Sequence, residues 1–495
     1  MKYVAGIDIG TTNIKGSIYD SDGNFITFSQ REYESYTPAE NFHEQDPDDW
    51  VKGAIWVLES LLADFPQRES LEAISLSTQG GTMVPVDMDY KPLHRAITWL
   101  DRRGDEIFNT SEGLKAKNIY FYEKTGWKLD SGISFLPLLW LKSNKKDIFA
   151  KIHKIMFVND YVQSKLCGKG FQDPSNASIS LFYNVPGGTW DDDILDILKL
   201  DESYLSEVKN PGELVGYLDE GLKKRLRLRG QVKVINGSHD QYCGALSTGV
   251  LFSKDIMIAA GTAWVIFKAI DQPILDRRNF FALGRFSYRE KAMGEKFGLL
   301  YSLPAAGASL KWFAKNVMNL KKEGELFSLL EKNSKKLSES KTQIIFYPYL
   351  AGSFDPGLDT PHKASFKNLG LGHDYLDMVK SIMEGVGFKL ANILKLLYEK
   401  DVPVESVRMV GGGSKSKVWP QVLSDITGLK VMVPQNDLDL ACEGAAIIAG
   451  YGCGIFSSMH EGFDKVRSDY RVYSPKAQNQ KFYREKSSSF TDHPG

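Results

Sequence analysis

The sequence is poor in cysteine, and its few cysteines follow no functional spacing. Only four occur among 495 residues, namely Cys167, Cys243, Cys442 and Cys453, and no two of them form a Cys-x-x-Cys pair. This scatter argues against a zinc site and against the disulfide framework of a small secreted domain. We expect reduced thiols and a cytoplasmic location.

Net charge and long apolar runs are also lacking. The 61 basic and 62 acidic residues leave a formal charge of -1, and no basic block stands out, so no nucleic-acid partner is expected. No uninterrupted apolar segment approaches the roughly 20 residues that a membrane helix needs. The opening residues lack the basic and apolar regions of a signal peptide. We therefore expect neither a membrane partner nor an export signal.

The sequence does contain enough apolar material for large cores. The hydrophobic fraction is 42% and the charged fraction is 25%, and a chain of this length usually forms two or more domains. Strand-like and helix-like segments alternate, which is typical of an α/β protein. Residues 3–9, 15–19 and 25–28 are apolar stretches separated by turn residues, a pattern that predicts three antiparallel strands.

The second half of the chain repeats the alternation of strands and helices. Apolar residues recur at three-and-four spacing over 379–397, which predicts one face of a long helix. Residues 406–410 are expected to form a buried strand, followed by a glycine turn and a helix to about residue 427. Short strands are also predicted at 232–235 and 256–260.

We place a domain boundary between these two short strands. The predicted ranges are an N-terminal domain over 1–248, a C-terminal domain over 249–475, and a polar tail over 476–495. Because the tail is rich in polar residues, we expect its last residues to be loosely ordered.

The first candidate functional residues lie at the end of the first predicted strand. Asp8 is followed by a turn that contains Thr11, Thr12 and, slightly later, Lys15. Backbone N–H groups, hydroxyls and an ammonium suit phosphate oxygens, and a carboxylate can hold hydrated Mg²⁺. The alternative is an ordinary hairpin turn. A similar turn at Gly261 follows the predicted strand 256–260.

Two further segments carry chemistry at strand ends. Asp240 follows a strand and a glycine, where a carboxylate can accept the proton of a hydroxyl that attacks a phosphate. The alternative is that Asp240 caps the next helix. The turn Gly411 to Gly413 allows a nucleotide to approach a helix N-terminus, with Ser414 or Ser416 as the cap, although such turns also serve as plain connections.

The order of these motifs resembles the FGGY carbohydrate kinases, and the resemblance covers nearly the whole chain. Each motif is short, but their order and separations agree with the family. The segments that carry the resemblance are Asp8 to Thr12, Ser77 to Thr82, Trp99 to Arg103, Gly237 to Gln241, Gly261-Thr262, Gly307 to Trp312, Glu384 to Val386, and Gly411 to Ser414 with Trp419 and Gln421.

This resemblance implies a two-domain actin-like or ribonuclease-H-like α/β ATPase fold with a cleft between the domains. It implies ATP and Mg²⁺ as cofactors and a small sugar or polyol as substrate. Dimers are common in the family, so a homodimer is an expectation that no segment of the sequence itself indicates. The implied residue roles are Asp240 as general base; Asp8 at the metal; Thr11, Thr12, Lys15, Gly261, Thr262, Gly307, Gly412 and Ser414 around ATP; and Gln79, Gly80, Gly81, Trp99, Asp101 and Gln241 facing the sugar.

The departures from the family pattern bear on the substrate. Glycerol kinases carry an Arg-Glu pair where this chain has Gly80 and Gly81, so two charged hydrogen-bonding groups are absent and glycerol is disfavoured. A ketopentose such as xylulose is the leading expectation, with another sugar, a tetritol or a sugar acid such as gluconate as alternatives. An actin-like ATPase switch and a catalytically silent sugar sensor stay open as other classes of function.

Overall fold

The structure is a computed structural model, and it describes residues 1–279, 281–287, 294–352, 363–436 and 438–490. Strands and helices alternate through these ranges. The strands are β1 (Tyr3–Ile9), β2 (Asn13–Asp20), β3 (Phe25–Glu32), β4 (Ser35–Tyr36), β5 (Glu44–Gln45), β6 (Leu71–Thr78), β7 (Met83–Val86), β8 (Ala96–Ile97), β9 (Lys154–Phe157), β10 (Tyr183–Asn184), β11 (Thr189–Trp190), β12 (Leu214–Tyr217), β13 (Lys233–His239), β14 (Ile256–Ala260), β15 (Trp264–Ile270), β16 (Ala282–Phe286), β17 (Lys296–Leu303), β18 (Ile345–Tyr347), β19 (Ser365–Lys367), β20 (Ser406–Val410), β21 (Lys430–Pro434) and β22 (Tyr470–Tyr473).

Most of the helices are short, and the longest has 24 residues. Among the described residues, no helix combines the length and apolar character needed to cross a bilayer. The α-helices are α1 (Pro47–Ala63), α2 (Asp105–Thr110), α3 (Glu112–Ala116), α4 (Asn118–Thr125), α5 (Phe135–Asn144), α6 (Lys146–Phe149), α7 (Val158–Cys167), α8 (Pro174–Ser178), α9 (Asp192–Ile197), α10 (Glu220–Arg225), α11 (Asp240–Ser247), α12 (Ala306–Asn316), α13 (Glu323–Lys332), α14 (Ser334–Glu339), α15 (Tyr375–Tyr398), α16 (Trp419–Thr427), α17 (Leu440–Cys453), α18 (Met459–Val466) and α19 (Ala477–Ser487).

The chain forms two compact units, each assembled from separate segments. The first unit contains Met1–Phe252, Ile270–Leu299 and Leu438–Arg467. The second contains Ser253–Ala269, Leu300–Asp437 and Ser468–Gly495.

A six-stranded sheet in the order β12-β13-β6-β1-β2-β3 forms the centre of the first unit. Strands β1, β2 and β3 are antiparallel neighbours, which confirms the predicted opening, whereas β1, β6 and β13 run parallel. All seven residues of β1 are buried, as expected of a strand covered on both faces. Helix α1 packs on β2 and β3, and α17 packs on β1, β6 and β13.

In the second unit, β14 pairs antiparallel with β15 and parallel with β20, and β21 continues the sheet beside β20. The predicted strands at 256–260 and 406–410 are confirmed as β14 and β20, and the predicted long helix lies within α15. A parallel strand thus lies on one side of β14 and a hairpin partner on the other. The same arrangement surrounds β1 in the first unit.

The compact units and the predicted ranges 1–248 and 249–475 divide the chain differently. Residues 249–252, 270–299 and 438–467 belong to the first unit, and the predicted tail belongs to the second. The segment 438–467 contains α17, which lies so close to β1 that a Cβ on Gly6 would stand 1.9 Å from the carbonyl oxygen of Cys442. Helix α17 is therefore part of the first unit because it packs on the first sheet. Its position in the sequence does not indicate this.

The predicted polar tail 476–495 contains a packed helix. Helix α19 buries Tyr483 and Lys486, and the ring of Phe490 stacks on Tyr347 with the centroids 5.0 Å apart. The predicted polar tail therefore contains three buried side chains. Residues 491–495 lie outside the described residues.

A buried ion pair anchors α19 to α15. Lys486 Nζ lies 2.5 Å from Glu384 Oε2 and also donates to the carbonyl oxygen of Thr342 at 2.7 Å. Tyr483 OH donates to Glu384 Oε1 at 3.0 Å. The side chains of Glu384 and Lys486 are each 1% exposed, so each ion depends on the other for its charge compensation.

Replacing Lys486 by methionine should destabilise the protein by about 3–5 kcal/mol, because it leaves the Glu384 carboxylate buried and unpaired. Chemical denaturation followed by circular dichroism measures this loss. Lys481→Met on the exposed side of the same helix is the matched control and should change stability by less than about 0.5 kcal/mol. Equal effects of the two substitutions would show that the pair does not hold the helix.

Candidate active site

Three parallel strands of the first unit end at one edge of its sheet. Strands β1, β6 and β13 lie side by side, so their carboxyl ends meet there. Asp8 is the penultimate residue of β1, Gln79 follows β6 and Asp240 follows β13. Strand pairing alone therefore brings together residues that are remote in the sequence and were each predicted to act chemically.

Asp8 is a buried carboxylate. It accepts a hydrogen bond from Ser77 Oγ at 2.8 Å, on the neighbouring parallel strand. The pKa of Asp8 is raised to about 8, chiefly by burial and then by the Asp439 carboxylate, while the Lys15 ammonium opposes the rise. A cation bound beside this group would favour its ionised form.

Lys15 was predicted to contact phosphates, and its ammonium has a partner within the first unit. Nζ donates to Asp439 Oδ2 at 2.8 Å. Burial lowers the pKa of Lys15, but the carboxylates of Asp439 and Asp8 outweigh burial and leave this pKa raised. Asp439 also caps α17 by accepting from the Cys442 N–H at 3.0 Å. Asp439 was not predicted from the sequence, because 424 positions separate it from Lys15 and no local pattern marks it.

The turn between β1 and β2 presents a half-buried Thr11 and an exposed Thr12. Gln45 Nε2 donates to the Thr11 carbonyl oxygen at 2.7 Å, and Trp99 Nε1 donates to Thr11 Oγ1 at 3.1 Å. Thr12 Oγ1 accepts from Asn13 Nδ2 at 3.1 Å. A residue predicted for the phosphates and a residue predicted for the sugar are thus in direct contact.

Gln79 is buried, and only the nitrogen of its side-chain amide makes hydrogen bonds to described residues. Its Nε2 donates to Gln45 Oε1 at 2.8 Å and to Tyr33 OH at 3.3 Å. Its Oε1 is also buried but accepts no hydrogen bond from any described residue. Because an unsatisfied buried acceptor costs free energy, this oxygen is suited to a hydroxyl donor of a ligand.

A buried ion pair fixes the segment after Trp99. Asp101 is fully buried, and its oxygens accept from the backbone N–H of His43 and from the backbone and guanidinium of Arg103 at 2.6–2.9 Å. Arg103 also pairs with Glu44 at 2.7 Å. The resemblance implies that Asp101 faces the sugar, but its carboxylate points into this network. Trp99, whose side chain is partly exposed, is the member of the segment that a ligand can reach.

The glycines at 80 and 81 are required for different reasons. Gly81 has a φ of +72°, a left-handed conformation in which any side chain is strained. Gly80 lies outside that region, but a Cβ there would stand 2.6 Å from Cδ2 of His239. The space beside Gly80 is therefore occupied by an imidazole.

Asp240 is the first residue of α11, and His239 stands at the N-cap position. The alternative interpretation, in which Asp240 caps this helix, does not match this geometry. Asp240 Oδ1 lies 3.3 Å from His239 Nε2, and its side chain is 32% exposed. In the described part of the chain, neither this oxygen nor Oε1 of Gln241 accepts a hydrogen bond. Both oxygens can therefore accept a hydrogen bond from a substrate, as a general base and a sugar-binding side chain need to do.

In the second unit, Gly261 and Thr262 lie in the turn between β14 and β15. The Ala308 N–H donates to the Thr262 carbonyl oxygen at 2.9 Å. Gly307 must lack a side chain, because a Cβ there would stand 2.0 Å from the carbonyl oxygen of Gly261. Helix α12 therefore begins in direct contact with this turn.

The glycine turn after β20 begins at Gly411, whose φ is +85°. Gly412 starts a short 3-10 turn, and Ser414 Oγ donates back to the Gly411 carbonyl oxygen at 2.7 Å. Ser416, not Ser414, accepts from backbone N–H groups at the start of α16. Because β14 and β20 are parallel neighbours, the turns at Gly261 and Gly412 lie at the same edge of this sheet.

Two sheets of the same arrangement, each with a turn suited to phosphates, define a two-domain α/β protein of the actin-like or ribonuclease-H-like class. The ligand-bound xylulose kinase from Lactobacillus acidophilus shares this fold, with a TM-score of 0.87 and 22% sequence identity over 99% of this chain and 97% of that one.

The sequence matches the N-terminal domain of the FGGY family of carbohydrate kinases over residues 3–247 and the C-terminal domain over 258–453. The xylulose kinase of Bacillus subtilis (strain 168) is 26% identical over 488 residues, which are 98% of this chain and 95% of that protein. The gluconokinase of the same strain is 26% identical over 492 residues, with 97% and 93% covered.

The chain belongs to the FGGY family of carbohydrate kinases. It is a phosphotransferase with an alcohol group as acceptor, and the family implies ATP as the phosphoryl donor and a sugar as the acceptor.

Asp8→Asn should change the pH dependence of stability. The raised pKa means that the folded state holds a proton on Asp8 that the unfolded state releases above its ordinary value near 3.8. Stability from this group is therefore full at low pH and falls as the pH rises from about 4 towards about 8. Without Mg²⁺, the variant should match wild type in melting temperature near pH 4 and exceed it increasingly towards pH 8.

The exposed carboxylate of Asp22 provides the control for this measurement. Asp22→Asn should shift the melting temperature by the same small amount at every pH. An Asp8→Asn curve parallel to that of wild type from pH 4 to pH 8 would contradict the raised pKa.

Proposed function

We propose that this chain is a cytoplasmic kinase that uses Mg²⁺ and ATP to phosphorylate a hydroxyl of a small sugar, with a ketopentose such as xylulose as the leading substrate. The observation that carries the proposal is the meeting of Asp8, Gln79 and Asp240 at one sheet edge. The Asp240 carboxylate there has an open acceptor oxygen. An actin-like ATPase switch needs turns that bind phosphates. It does not need a carboxylate with an unused acceptor oxygen beside the side-chain amides of Gln79 and Gln241.

Asp240 is the proposed general base. Its Oδ1 accepts the proton of the attacking hydroxyl as the oxygen of that hydroxyl bonds to the γ-phosphorus, and the bond to the ADP leaving group breaks. The open oxygens of Gln79 and Gln241 accept hydrogen bonds from other hydroxyls and so orient the sugar. Trp99 packs against the sugar, held in place by Thr11. Asp101 then acts through Arg103, as a residue that positions this segment.

The remaining predicted residues are proposed to bind Mg²⁺-ATP. Among the described residues, no group of three or more His, Cys, Asp or Glu side chains is placed to hold a metal ion, and Mg²⁺ is commonly bound by one or two carboxylates together with phosphates and water. The buried carboxylate of Asp8 fits that role. Bound Mg²⁺ would neutralise phosphate charge. The residues proposed around ATP are Thr11, Thr12, Lys15, Gly261, Thr262, Gly307, Gly412 and Ser414.

Side-chain charges favour a neutral sugar over a sugar acid. Asp8 and Asp240 are acidic, Lys15 is paired with Asp439, and Arg103 is paired with Asp101 and Glu44. A gluconate carboxylate would have to compete for one of these engaged cations. Gluconate is nevertheless the second candidate, because the gluconokinase of Bacillus subtilis is as similar in sequence as the xylulose kinase.

The test is ADP release by the purified protein with Mg²⁺ and ATP across ketopentoses, ketohexoses, tetritols, pentitols, glycerol and gluconate. We expect one sugar to raise the rate far above the background without sugar. Asp240→Asn should lower turnover by about two to four powers of ten, the usual loss for a general base, and leave ATP binding in calorimetry unchanged.

Asp89→Asn, which alters an exposed carboxylate, is the control and should keep full turnover. ADP release that no sugar stimulates would favour a nucleotide-driven switch. Sugar binding without ADP release would favour a sensor. Wild-type turnover by Asp240→Asn would remove this residue from the mechanism. Size-exclusion chromatography of the same sample tests the expected homodimer.

A further inference from the structure

The imidazole of His239 forms a wall of the space beside Gly80. A Cβ on Gly80 would lie 2.6 Å from Cδ2 and 2.8 Å from Nε2 of His239, and 2.8 Å from Cγ2 of Ile179. Gly80 is outside the left-handed region, so contact with these side chains, and not backbone conformation, is what a larger residue there would meet. Glycine at 80 and histidine at 239 are thus complementary in volume.

The backbone of His239 is held in place by a hydrogen bond and by strand pairing. Its backbone N–H donates to Ser175 Oγ at 2.9 Å, and the residue pairs with Thr78 in the parallel ladder of β13 and β6. The residue is only 7% exposed. Burial and a fixed backbone restrict where the imidazole can lie, which is the property that a specificity residue needs.

The orientation of the ring places its Nε2 beside the proposed base. Nε2 of His239 lies 3.3 Å from Oδ1 of Asp240, and that oxygen is open among the described residues. Two neighbouring side chains therefore present an imidazole nitrogen and a carboxylate oxygen at a separation similar to that of two oxygens on adjacent carbons. This spacing suits a vicinal diol, with one hydroxyl facing each group.

We propose that His239 is a specificity-determining residue that contacts the substrate. In this assignment Nε2–H donates to the hydroxyl on the carbon next to the one that is phosphorylated. The inference rests on the proposed function, because it requires Asp240 to receive the proton of the acceptor hydroxyl. The substrate class is a sugar or polyol with a vicinal diol at the phosphorylated end. The imidazole takes the space that a longer side chain at position 80 would need.

The test compares the sugar identified by ADP release with its analogue that lacks the adjacent hydroxyl. For wild type, we expect kcat/KM to fall by roughly tenfold or more on removal of that hydroxyl, because the hydrogen bond from His239 to it is lost. For His239→Ala, the two substrates should agree to within roughly threefold, because the partner of the hydroxyl is gone. His239→Gln, which keeps a donor, should restore part of the preference.

A second variant keeps the test decisive if His239→Ala does not fold. Gly80→Ala retains every polar group but forces the ring to move, so it should also reduce the preference for the hydroxylated sugar. The double variant Gly80→Ala/His239→Ala should lose no more of the preference for the hydroxylated sugar than His239→Ala alone. A deoxy analogue altered at a distant carbon is the control, and its relative kcat/KM should be the same in all variants.

The outcomes separate the two proposals. If wild type phosphorylates no sugar, the proposed function fails and this assignment fails with it. If wild type phosphorylates a sugar but His239→Ala or Gly80→Ala keeps the full preference for the adjacent hydroxyl, only the assignment of His239 is overturned.

Discussion

The parallel pairing of β1, β6 and β13 is the constraint on which the candidate active site depends. The register of β13 on β6 shifts between Ile235 and Ser238. Gly237 lies within the shift, where a Cβ would stand 1.7 Å from the carbonyl oxygen of Leu76. Irregularities of this kind re-aim a strand end. The direction in which Asp240 leaves the sheet is therefore set by a glycine three residues earlier.

Two buried ion pairs, Arg103 with Asp101 and Lys486 with Glu384, contrast with the oxygens at the sheet edge. At the edge, buried oxygens of Gln79 and Asp240 accept no hydrogen bond from a described residue. Such open acceptors lower stability, because their water is lost without replacement. Buried atoms without a partner also occur elsewhere among the described residues. The two at this edge follow adjacent parallel strands, where we propose that sugar hydroxyls complete their hydrogen bonding.

The sequence allowed a good prediction of local structure and of residues that follow strands, because those signals are short in range. The opening hairpins, β20 and the long helix α15 are each marked by apolar periodicity or turn glycines, and all were confirmed. The ion pair of Lys15 with Asp439 could not be predicted, because only the packing of α17 on the first sheet brings Asp439 near β1. The helix α19 was missed because its polar face dominates its composition, while Tyr483 and Lys486 find their partners on α15.

The inward-facing carboxylate of Asp101 was missed for a related reason. In the sequence, a charged residue close to a tryptophan suggests a side chain that binds substrate. Only the fold shows that Arg103 and His43 donate hydrogen bonds to the carboxylate of Asp101. Sequence patterns indicate which segments lie at a site. They do not indicate which side chain of a segment faces the ligand, because that depends on partners from other segments.

We propose that substrate choice in this chain depends on few positions. A xylulose kinase and a gluconokinase are equally similar to this chain over almost its full length, so overall similarity does not separate the two sugars. Residues 79–81 follow β6, and residues 239–241 span the end of β13 and the start of α11, so the ladder and the helix hold the backbone. Because the scaffold beneath them is rigid, side-chain volume and hydrogen bonding in these six residues can change the preferred sugar while the sheet stays as it is. The pairing of Gly80 with His239 is one such combination, in which neither residue can be interpreted without the other.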